Sequence, residues 1–384
     1  MIAETVEVPL EQAYGNILAQ DIISEASVPS FPRSAMDGYA VFSKDIESAS
    51  NDTPVTLKVT GEIFAGDDAG IEYAPGSAVR IMTGGMIPEG YDVVVRQEDT
   101  DYGEKEVRVF VSLPPYRNYC HIGEEIKKGQ TVIKAGTMIG RTETGLMASL
   151  GMLNVRVRRP AKVAVISTGN ELTEVGQPLS NGRIYNSIRY ILGTSIRREK
   201  LEVGYEATCI DDKAAIRASI CRAVKESDIV LTTGGVSVGE KDLVPGVLDD
   251  LGAVRLFSGV NIQPGTPTMA SVLEGRVILS LSGNPYAAMA NFDLYFWPVI
   301  ASLMGSDAYL PGESEAVLAD RYDKVNRMRR LVRARESDGR VYLVASEHMS
   351  SVFGNTAECN CYIDIPAGCR IAPGDRVRIK RMRL

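Results

Sequence analysis

The stretch Ile229-Val-Leu-Thr-Thr-Gly-Gly-Val-Ser-Val-Gly239 decides the fold. Its apolar start predicts a strand that is covered on both faces, and its end is a glycine-rich turn. Two further glycine turns follow predicted strands, at Ser167-Thr-Gly-Asn-Glu171 and Ser282-Gly-Asn-Pro285. Predicted helices over 186–198, 213–225 and 285–303 separate the strands. This alternation predicts a central, doubly wound α/β domain with a parallel sheet and right-handed crossovers.

The three glycine turns are expected to line one crevice. Ligands of open parallel sheets bind outside the carboxyl ends of the strands, where such turns meet. Glycine lets the backbone approach a ligand, and the helix that begins at Pro285 adds its positive end. A single turn is read equally well as an ordinary strand-to-helix connection, but three at one edge favour a site for a small phosphate-bearing anion. The candidate binding residues are Thr233, Gly234, Gly235, Ser237, Ser282, Gly283 and Asn284.

Acidic residues follow the same strand ends. Glu171 comes after the first turn, Asp211 after the predicted strand at 201–209, and Asp242 after the longest glycine loop. Carboxylates beside a phosphate site are explained by a bridging hard cation, because Mg²⁺ takes oxygen ligands. We therefore predict Mg²⁺ as a cofactor, with Glu171 and Asp242 as its ligands. For Asp211, a role as a helix cap together with Asp212 is an equal alternative.

The segments on either side are rich in predicted strands. Before the α/β domain we expect strands over 55–64, 78–82, 93–99 and 107–113, a helical patch over 10–18 and a helix over 142–150. After it, strands over 331–336, 341–345, 361–365 and 377–379 predict a small C-terminal domain that resembles a β-barrel.

Composition excludes several classes of protein. The chain has 384 residues and a net charge of −7, which argues against broad nucleic-acid binding because that needs a basic surface. No apolar run is long enough for a membrane span, and the N-terminus shows no secretory signal. The six cysteines are scattered without a Cys-x-x-Cys pair, so neither a zinc site nor a disulfide framework is predicted. We expect a reduced, cytoplasmic protein without nucleic-acid or membrane partners.

Several segments together resemble the molybdenum insertases of molybdenum-cofactor biosynthesis, that is, molybdopterin molybdenumtransferase, the bacterial MoeA protein and the E domain of gephyrin. They occur in the family's order and cover essentially the whole chain. The matching segments are Leu10-Glu-Gln-Ala-Tyr-Gly15, Pro32-Arg-Ser-Ala-Met-Asp-Gly-Tyr-Ala40, Val79-Arg-Ile-Met-Thr-Gly84, Ser167-Thr-Gly-Asn-Glu-Leu172, Thr233-Gly-Gly-Val-Ser-Val-Gly-Glu240, Gln263-Pro-Gly-Thr-Pro267 and Ser282-Gly-Asn-Pro285.

This resemblance implies a homodimer of four-domain subunits, in which N-terminal segments of the partner subunit close the active site. We place the domains at 1–38 with 128–158, at 39–127, at 159–305 and at 306–384. The implied reaction inserts molybdate, or tungstate, into adenylylated molybdopterin and releases AMP. The adenylyltransferase of the same pathway is a candidate partner. Carried over by position, the catalytic residues are Asp37, Thr83, Glu171, Asp211 and Asp242.

The loop at Gln263 and Thr266 departs from the family pattern. The family commonly reads Lys-Pro-Gly-Lys-Pro where this chain has Gln263-Pro-Gly-Thr-Pro267. Gln263 and Thr266 donate hydrogen bonds to an anion without the charge that makes such bonds roughly twice as strong. The consequences that this leaves open are weaker molybdate affinity, a different oxyanion such as tungstate, compensation by an arginine such as Arg330, or lost catalysis. The alternative is a non-catalytic carrier or regulatory paralogue that binds molybdopterin and has lost turnover.

Overall fold

The computed structural model describes residues 1–68, 70–236, 242–344 and 352–383. Within these residues, no helix combines the length and the hydropathy that crossing a bilayer requires.

The N-terminal part of the chain is built from strands, one helix and short 3-10 turns. Its elements, in chain order, are β1 (Thr5–Pro9), β2 (Ile22–Ile23), β3 (Arg33–Ser34), β4 (Gly38–Val41), β5 (Val55–Ile63), β6 (Ser77–Ile81), β7 (Val93–Arg96), β8 (Glu106–Val109), β9 (Tyr119–Cys120), β10 (Thr131–Ile133), α1 (Arg141–Ser149) and β11 (Asn154–Arg158). A five-stranded sheet has the order β7-β4-β6-β5-β8, and β1 with β11 and β2 with β10 form separate antiparallel pairs.

The predicted helical patch over 10–18 is wrong. Only the 3-10 turn Leu10–Gln12 forms there. Gly15 then takes a φ of +80°, and Ile17 and Leu18 enter isolated β-bridges to Met138 and Val157. The apolar spacing of this patch therefore reports burial against neighbouring strands rather than a helix face.

The central part is an α/β domain. Its elements are β12 (Lys162–Thr168), β13 (Leu172–Thr173), β14 (Ile184–Tyr185), α2 (Ser187–Arg198), β15 (Glu202–Cys209), α3 (Lys213–Glu226), β16 (Ile229–Thr233), α4 (Val244–Asp250), β17 (Val254–Ser258), β18 (Ile262–Gln263), β19 (Met269–Leu273), β20 (Arg276–Leu281) and α5 (Pro285–Met304). The main sheet has the order β15-β12-β16-β20-β19-β17. Alternate residues of β12 face opposite layers: Val165 belongs to the buried cluster that contains Trp297 of α5, and Ile166 belongs to the one that contains Ile216 of α3.

The sheet is only partly parallel, which corrects the sequence-based expectation. The four strands β15, β12, β16 and β20 are parallel, whereas β19 and β17 are antiparallel to their neighbours. A tight turn joins β19 to β20 because Glu274 and Gly275 both adopt positive φ, at +50° and +75°. Two successive left-handed residues fit the twist of a two-residue hairpin, and the Glu-Gly pair gave no clear hairpin signal in the sequence.

The C-terminal part is a closed five-stranded barrel, as predicted. Its strands are β21 (Glu313–Leu318), β22 (Arg329–Ser337), β23 (Arg340–Leu343), β24 (Cys361–Ile365) and β25 (Arg376–Arg381). Pairing of β22 with β24 closes the barrel. The short strand β18 of the α/β segment also joins this sheet, because Ile262 and Gln263 lie in parallel register with Arg329 and Arg330.

Candidate active site

The glycine turns lie side by side at one edge of the main sheet. Ser167 is in register with Thr233, and Thr233 is in register with Leu281, so the three turns begin at the same level. The Gly234 N–H donates to the Leu281 carbonyl at 3.1 Å, which ties the second turn to the third strand. The predicted convergence of the turns on one crevice is therefore what the strand registers produce.

Close packing explains why glycine occupies the centre of this edge. Gly234 has a φ of +83°, and a Cβ atom on it would lie 2.4 Å from the Thr168 carbonyl oxygen. A Cβ on Gly283 would lie 3.4 Å from the Gly234 Cα. The first and third turns thus press on the middle turn from either side, and only a residue without a side chain fits there.

The helix α5 starts directly at the crevice. Asn284 is its N-cap and accepts a hydrogen bond from the Ala287 N–H at 3.1 Å. The Ser282 hydroxyl accepts from the Asn284 N–H at 3.2 Å, and Pro285 occupies the first helical position. The positive end of a 20-residue helix therefore points its amides at this edge, an arrangement suited to an anion.

The side chain of Thr233 takes part in a buried chain of hydrogen bonds under the turns. Its hydroxyl donates to Ser167 at 3.1 Å, and the Ser167 hydroxyl donates to Asn186 Oδ1 at 3.3 Å. Asn186 Nδ2 donates to Thr208 at 3.1 Å, and Thr208 donates to Glu174 at 2.5 Å. Thr233 thus holds the strand ends together, and its backbone is the part nearest the crevice. Sequence analysis placed Asn186 only at the start of the predicted helix over 186–198; the signal it overlooked is the polar residue at each strand end.

The acidic candidates have distinct environments. Asp211 and Asn170 exchange hydrogen bonds at 3.2 and 3.1 Å, which joins the loops after β12 and β15. Asp212, not Asp211, caps α3 by accepting from the Ala215 N–H at 2.8 Å. Glu171 is exposed, and its carboxylate folds back to 2.5 Å from where a Cβ on Gly169 would lie.

Asp242 is partly buried, and Ser237 lies outside the described residues. In the described part of the chain, no three His, Cys, Asp or Glu side chains are grouped as metal ligands. Mg²⁺ usually takes only one or two protein carboxylates and completes its shell with water and substrate phosphates. The donor chemistry of Glu171 and Asp242 is therefore compatible with Mg²⁺, and substrate oxygens would have to supply the remaining ligands.

The Gln263–Pro267 loop packs against the side of α5. Asn291 Nδ2 donates to the Pro264 carbonyl at 2.8 Å, and a Cβ on Gly265 would lie 1.7 Å from that nitrogen. The Thr266 hydroxyl donates back to the Ile262 carbonyl at 3.0 Å. These contacts fix the loop between the α/β domain and the barrel.

Two arginines of β22 adjoin this region. Arg330 lies beside Gln263 in the sheet. Arg333 is buried, and its guanidinium lies 4.3 Å from the ring centroid of Tyr286, in the first turn of α5. The Tyr286 hydroxyl donates to the Leu331 carbonyl at 2.9 Å, and burial raises the pKa of this phenol. Sequence analysis did not single out Tyr286 or Arg333, because their contact is visible only once the barrel is placed against α5.

Asp37 and Thr83 meet although 46 residues separate them in the chain. The backbone N–H and the hydroxyl of Thr83 both donate to Asp37 Oδ1 at 2.7 Å. The backbone bond, followed by the hydroxyl bond, lowers the pKa of Asp37 and keeps this exposed carboxylate ionised. The pair sits in the N-terminal β region, whereas the glycine turns belong to the α/β domain.

Comparison with known proteins gives matches along nearly the whole chain. Residues 1–151 match the MoeA N-terminal region (domain I and II), residues 164–302 match a probable molybdopterin binding domain, and residues 315–381 match the MoeA C-terminal region (domain IV). The molybdopterin molybdenumtransferase of Haemophilus influenzae is 40% identical over 303 residues, which is 79% of this chain and 74% of that protein. The Staphylococcus epidermidis protein of the same name is 34% identical over 96% of this chain and 88% of its own.

A solved structure agrees with these matches. The crystal structure of the molybdopterin biosynthesis moeA protein from Pyrococcus horikoshii superposes with a TM-score of 0.85 at 30% identity, and the match covers 100% of this chain and 96% of that one. The resemblance first drawn from short motifs is thereby confirmed over the full length. The chain belongs to the MoeA family of molybdopterin molybdenumtransferases.

Proposed function

We propose that this protein inserts molybdenum during molybdenum-cofactor biosynthesis, acting on adenylylated molybdopterin and molybdate, or tungstate, with release of AMP. The observation that carries the proposal is the convergence of three glycine turns and the start of α5 at one sheet edge. Such an edge binds a phosphate group through backbone amides and a helix end. The identity of the metal and of the pterin is taken from the names of the relatives, which are molybdopterin molybdenumtransferases.

Three groups of residues have separate proposed roles in the reaction. Gly234, Gly235 and Gly283 let the backbone approach the phosphate, and the amides after Asn284 stabilise its charge. Glu171 and Asp242 are the proposed ligands of a Mg²⁺ ion that would neutralise phosphate oxygens when bound. The loop at Gln263 and Thr266, next to Arg330, is the proposed site of the metal oxyanion.

We further propose that two subunits assemble the complete site. Asp37 and Thr83 form a polar pair on the N-terminal β region, and the proposed homodimer would bring this pair to the crevice of the partner subunit. The adenylyltransferase of the pathway is the proposed supplier of the substrate, and the cytoplasm is the proposed location. The domain division at 1–38 with 128–158, 39–127, 159–305 and 306–384 belongs to the same proposal.

The test is a single-turnover assay with purified protein. Adenylylated molybdopterin is incubated with or without molybdate or tungstate, and AMP is measured by chromatography. We expect AMP release only when an oxyanion is present; no release at saturating oxyanion overturns the proposed reaction. Asp242→Asn should slow release by at least about tenfold, the usual scale for losing one charged contact. Asp249→Asn, at an exposed aspartate of α4 that pairs with Arg255 of β17, is the matched control and should behave like wild type.

A second candidate function is a molybdopterin carrier without turnover. The observation that favours it is the uncharged pair Gln263 and Thr266, at the positions where the family commonly carries two lysines. A carrier would bind the adenylylated substrate tightly and release no AMP, and the double variant Gln263→Lys/Thr266→Lys would gain turnover. AMP release by the native chain excludes this function.

A further inference from the structure

Three aromatic rings form a cluster on the surface of the N-terminal β region. The ring centroids of Tyr116 and Tyr119 are 5.4 Å apart, and His121 lies 5.0 Å from the first and 4.9 Å from the second. Tyr119 is anchored because it packs on the buried cluster that contains Ile87 and Val94. Tyr116 is 57% exposed, and His121 is exposed as well. We call these three rings the aromatic cluster.

The backbone that carries the aromatic cluster is held in an uncommon conformation. Tyr116 and Asn118 have φ values of +64° and +56°; asparagine tolerates this region, but a tyrosine rarely adopts it. Neighbouring strands enforce it: the Tyr116 N–H donates to the Asp92 carbonyl at 2.6 Å, and Asn118 Nδ2 donates to the Val94 carbonyl at 2.9 Å.

The aromatic cluster adjoins the Asp37–Thr83 pair through one short segment. Ser34 pairs with Tyr119 in the β3–β9 ladder, and the Gly84 N–H donates to the Ser34 carbonyl at 2.8 Å. The Ala35 N–H donates to the Asn118 carbonyl at 3.1 Å. The segment that carries the ionised carboxylate of Asp37 is thus hydrogen-bonded to the segment that carries the three rings.

We propose that the aromatic cluster is a stacking site for the planar heteroaromatic ring of the phosphate-bearing substrate. The exposed face of Tyr116, braced by Tyr119 and His121, offers an apolar surface on which a flat ring is desolvated on one side. Ring stacking on aromatic side chains tolerates different heterocycles, because each of them has a π-face. This inference rests on the proposed function, in which the ring is either the pterin or the adenine of the adenylylated substrate.

Binding to the full-length protein tests the proposal by calorimetry with three probes: AMP, neopterin phosphate and inorganic phosphate. Tyr116→Ala should weaken the probe whose ring stacks by about tenfold, which corresponds to about 1.4 kcal/mol, and should leave inorganic phosphate unchanged. Tyr116→Phe keeps the ring and should bind like wild type. An effect on neopterin phosphate alone assigns the pterin, and an effect on AMP alone assigns the adenine.

Tyr102→Ala is the matched control, because Tyr102 is 52% exposed and has a φ of +60°. Circular dichroism verifies that each variant is folded, and His121→Ala provides a second, independent lesion of the aromatic cluster. The proposal is overturned if Tyr116→Ala and His121→Ala bind both ring probes as wild type does, or if Tyr102→Ala weakens them equally. Oxyanion-dependent AMP release by the native protein tests the reaction separately, so failure of the stacking site and failure of the proposed function are distinguishable.

Discussion

Replacing Gly234 with alanine tests the packing of the crevice edge directly. In the native chain this residue has a φ of +83° and lies under the Thr168 carbonyl, 2.4 Å from the position of an added Cβ. The alanine variant is therefore destabilised in two separate ways, by the left-handed backbone conformation and by the contact of its Cβ with the Thr168 carbonyl. Gly252, in the turn after α4, has a φ of +78° and nothing within 4 Å of an added Cβ. Gly252→Ala is consequently destabilised by the left-handed backbone conformation alone.

The magnitudes follow from these two positions. The left-handed conformation costs an L-residue about 1–2 kcal/mol, and the reduced freedom of the unfolded chain returns about 0.4–1 kcal/mol. Gly252→Ala should therefore destabilise the domain by about 1 kcal/mol. Gly234→Ala adds an overpacked contact of about 1–3 kcal/mol, because the blocking atom belongs to the backbone and cannot rotate away. We expect a total loss of about 2–4 kcal/mol for Gly234→Ala.

The assay uses the single tryptophan of the chain. Trp297 lies fully buried in α5, so its fluorescence during urea unfolding reports on the packing around α5, which includes Tyr309 and Arg383 on the indole ring. Urea midpoints of the wild type, Gly234→Ala and Gly252→Ala are compared under identical conditions. Equal losses for the two variants would refute the close-approach argument, since the Thr168 contact would then cost nothing.

Three further predictions concern carboxylates. Asp37→Asn should lower AMP release about tenfold, because the variant loses a charged contact. It should leave the urea midpoint unchanged, because the residue is exposed. Since Thr83 lowers the pKa of Asp37, the activity of the native protein should fall only when the pH drops below the ordinary aspartate range near about 4. Burial raises the pKa of Asp293 to about 6, so between about pH 4 and about pH 6 the folded state holds a proton that the unfolded state has lost. The free energy of unfolding should therefore fall by up to roughly 3 kcal/mol as the pH rises through this range. Asp293→Asn should flatten this dependence in urea midpoints measured across that range, and an unchanged slope would contradict the assignment. Asp228 is buried and accepts two hydrogen bonds from Arg159 at 2.9 and 3.1 Å. Asp228→Ala should therefore lower the free energy of unfolding, followed by Trp297 fluorescence, by about 3 kcal/mol. A decrease below about 1 kcal/mol would contradict a buried, interdependent pair.

The α/β domain was the most predictable part of the fold. Its buried strands read as continuous apolar runs, and its caps are explicit, so the bounds of α3 and α5 agree with the sequence to within a residue. The antiparallel strands β17 and β19 were not predicted. For β17 the reason is that Val254–Ser258 is largely exposed and carries no buried-strand signature. Pro298 lies inside α5 without ending it, as the predicted helix over 285–303 requires.

The site was predictable where one backbone segment determines it. Gly234 and Asn284 occupy the turn and cap positions that their residue types indicated. The resemblance brought Asp37 and Thr83 into one site, and they meet in the structure, although nothing in either segment encodes their contact. Sequence analysis could not place Arg333 on Tyr286, since that contact depends on how the barrel docks.

The strand β18 has a mechanical consequence for the proposed oxyanion loop. Ile262 and Gln263 pair with β22 of the barrel. Pro264, the next residue of the same loop, is hydrogen-bonded to Asn291 of α5. A rotation of the C-terminal barrel about the α/β domain would therefore pull on the loop from one side while α5 holds it from the other. The orientation of the barrel and the shape of the loop are therefore coupled, and a change in one would shift the residues proposed to hold the metal oxyanion.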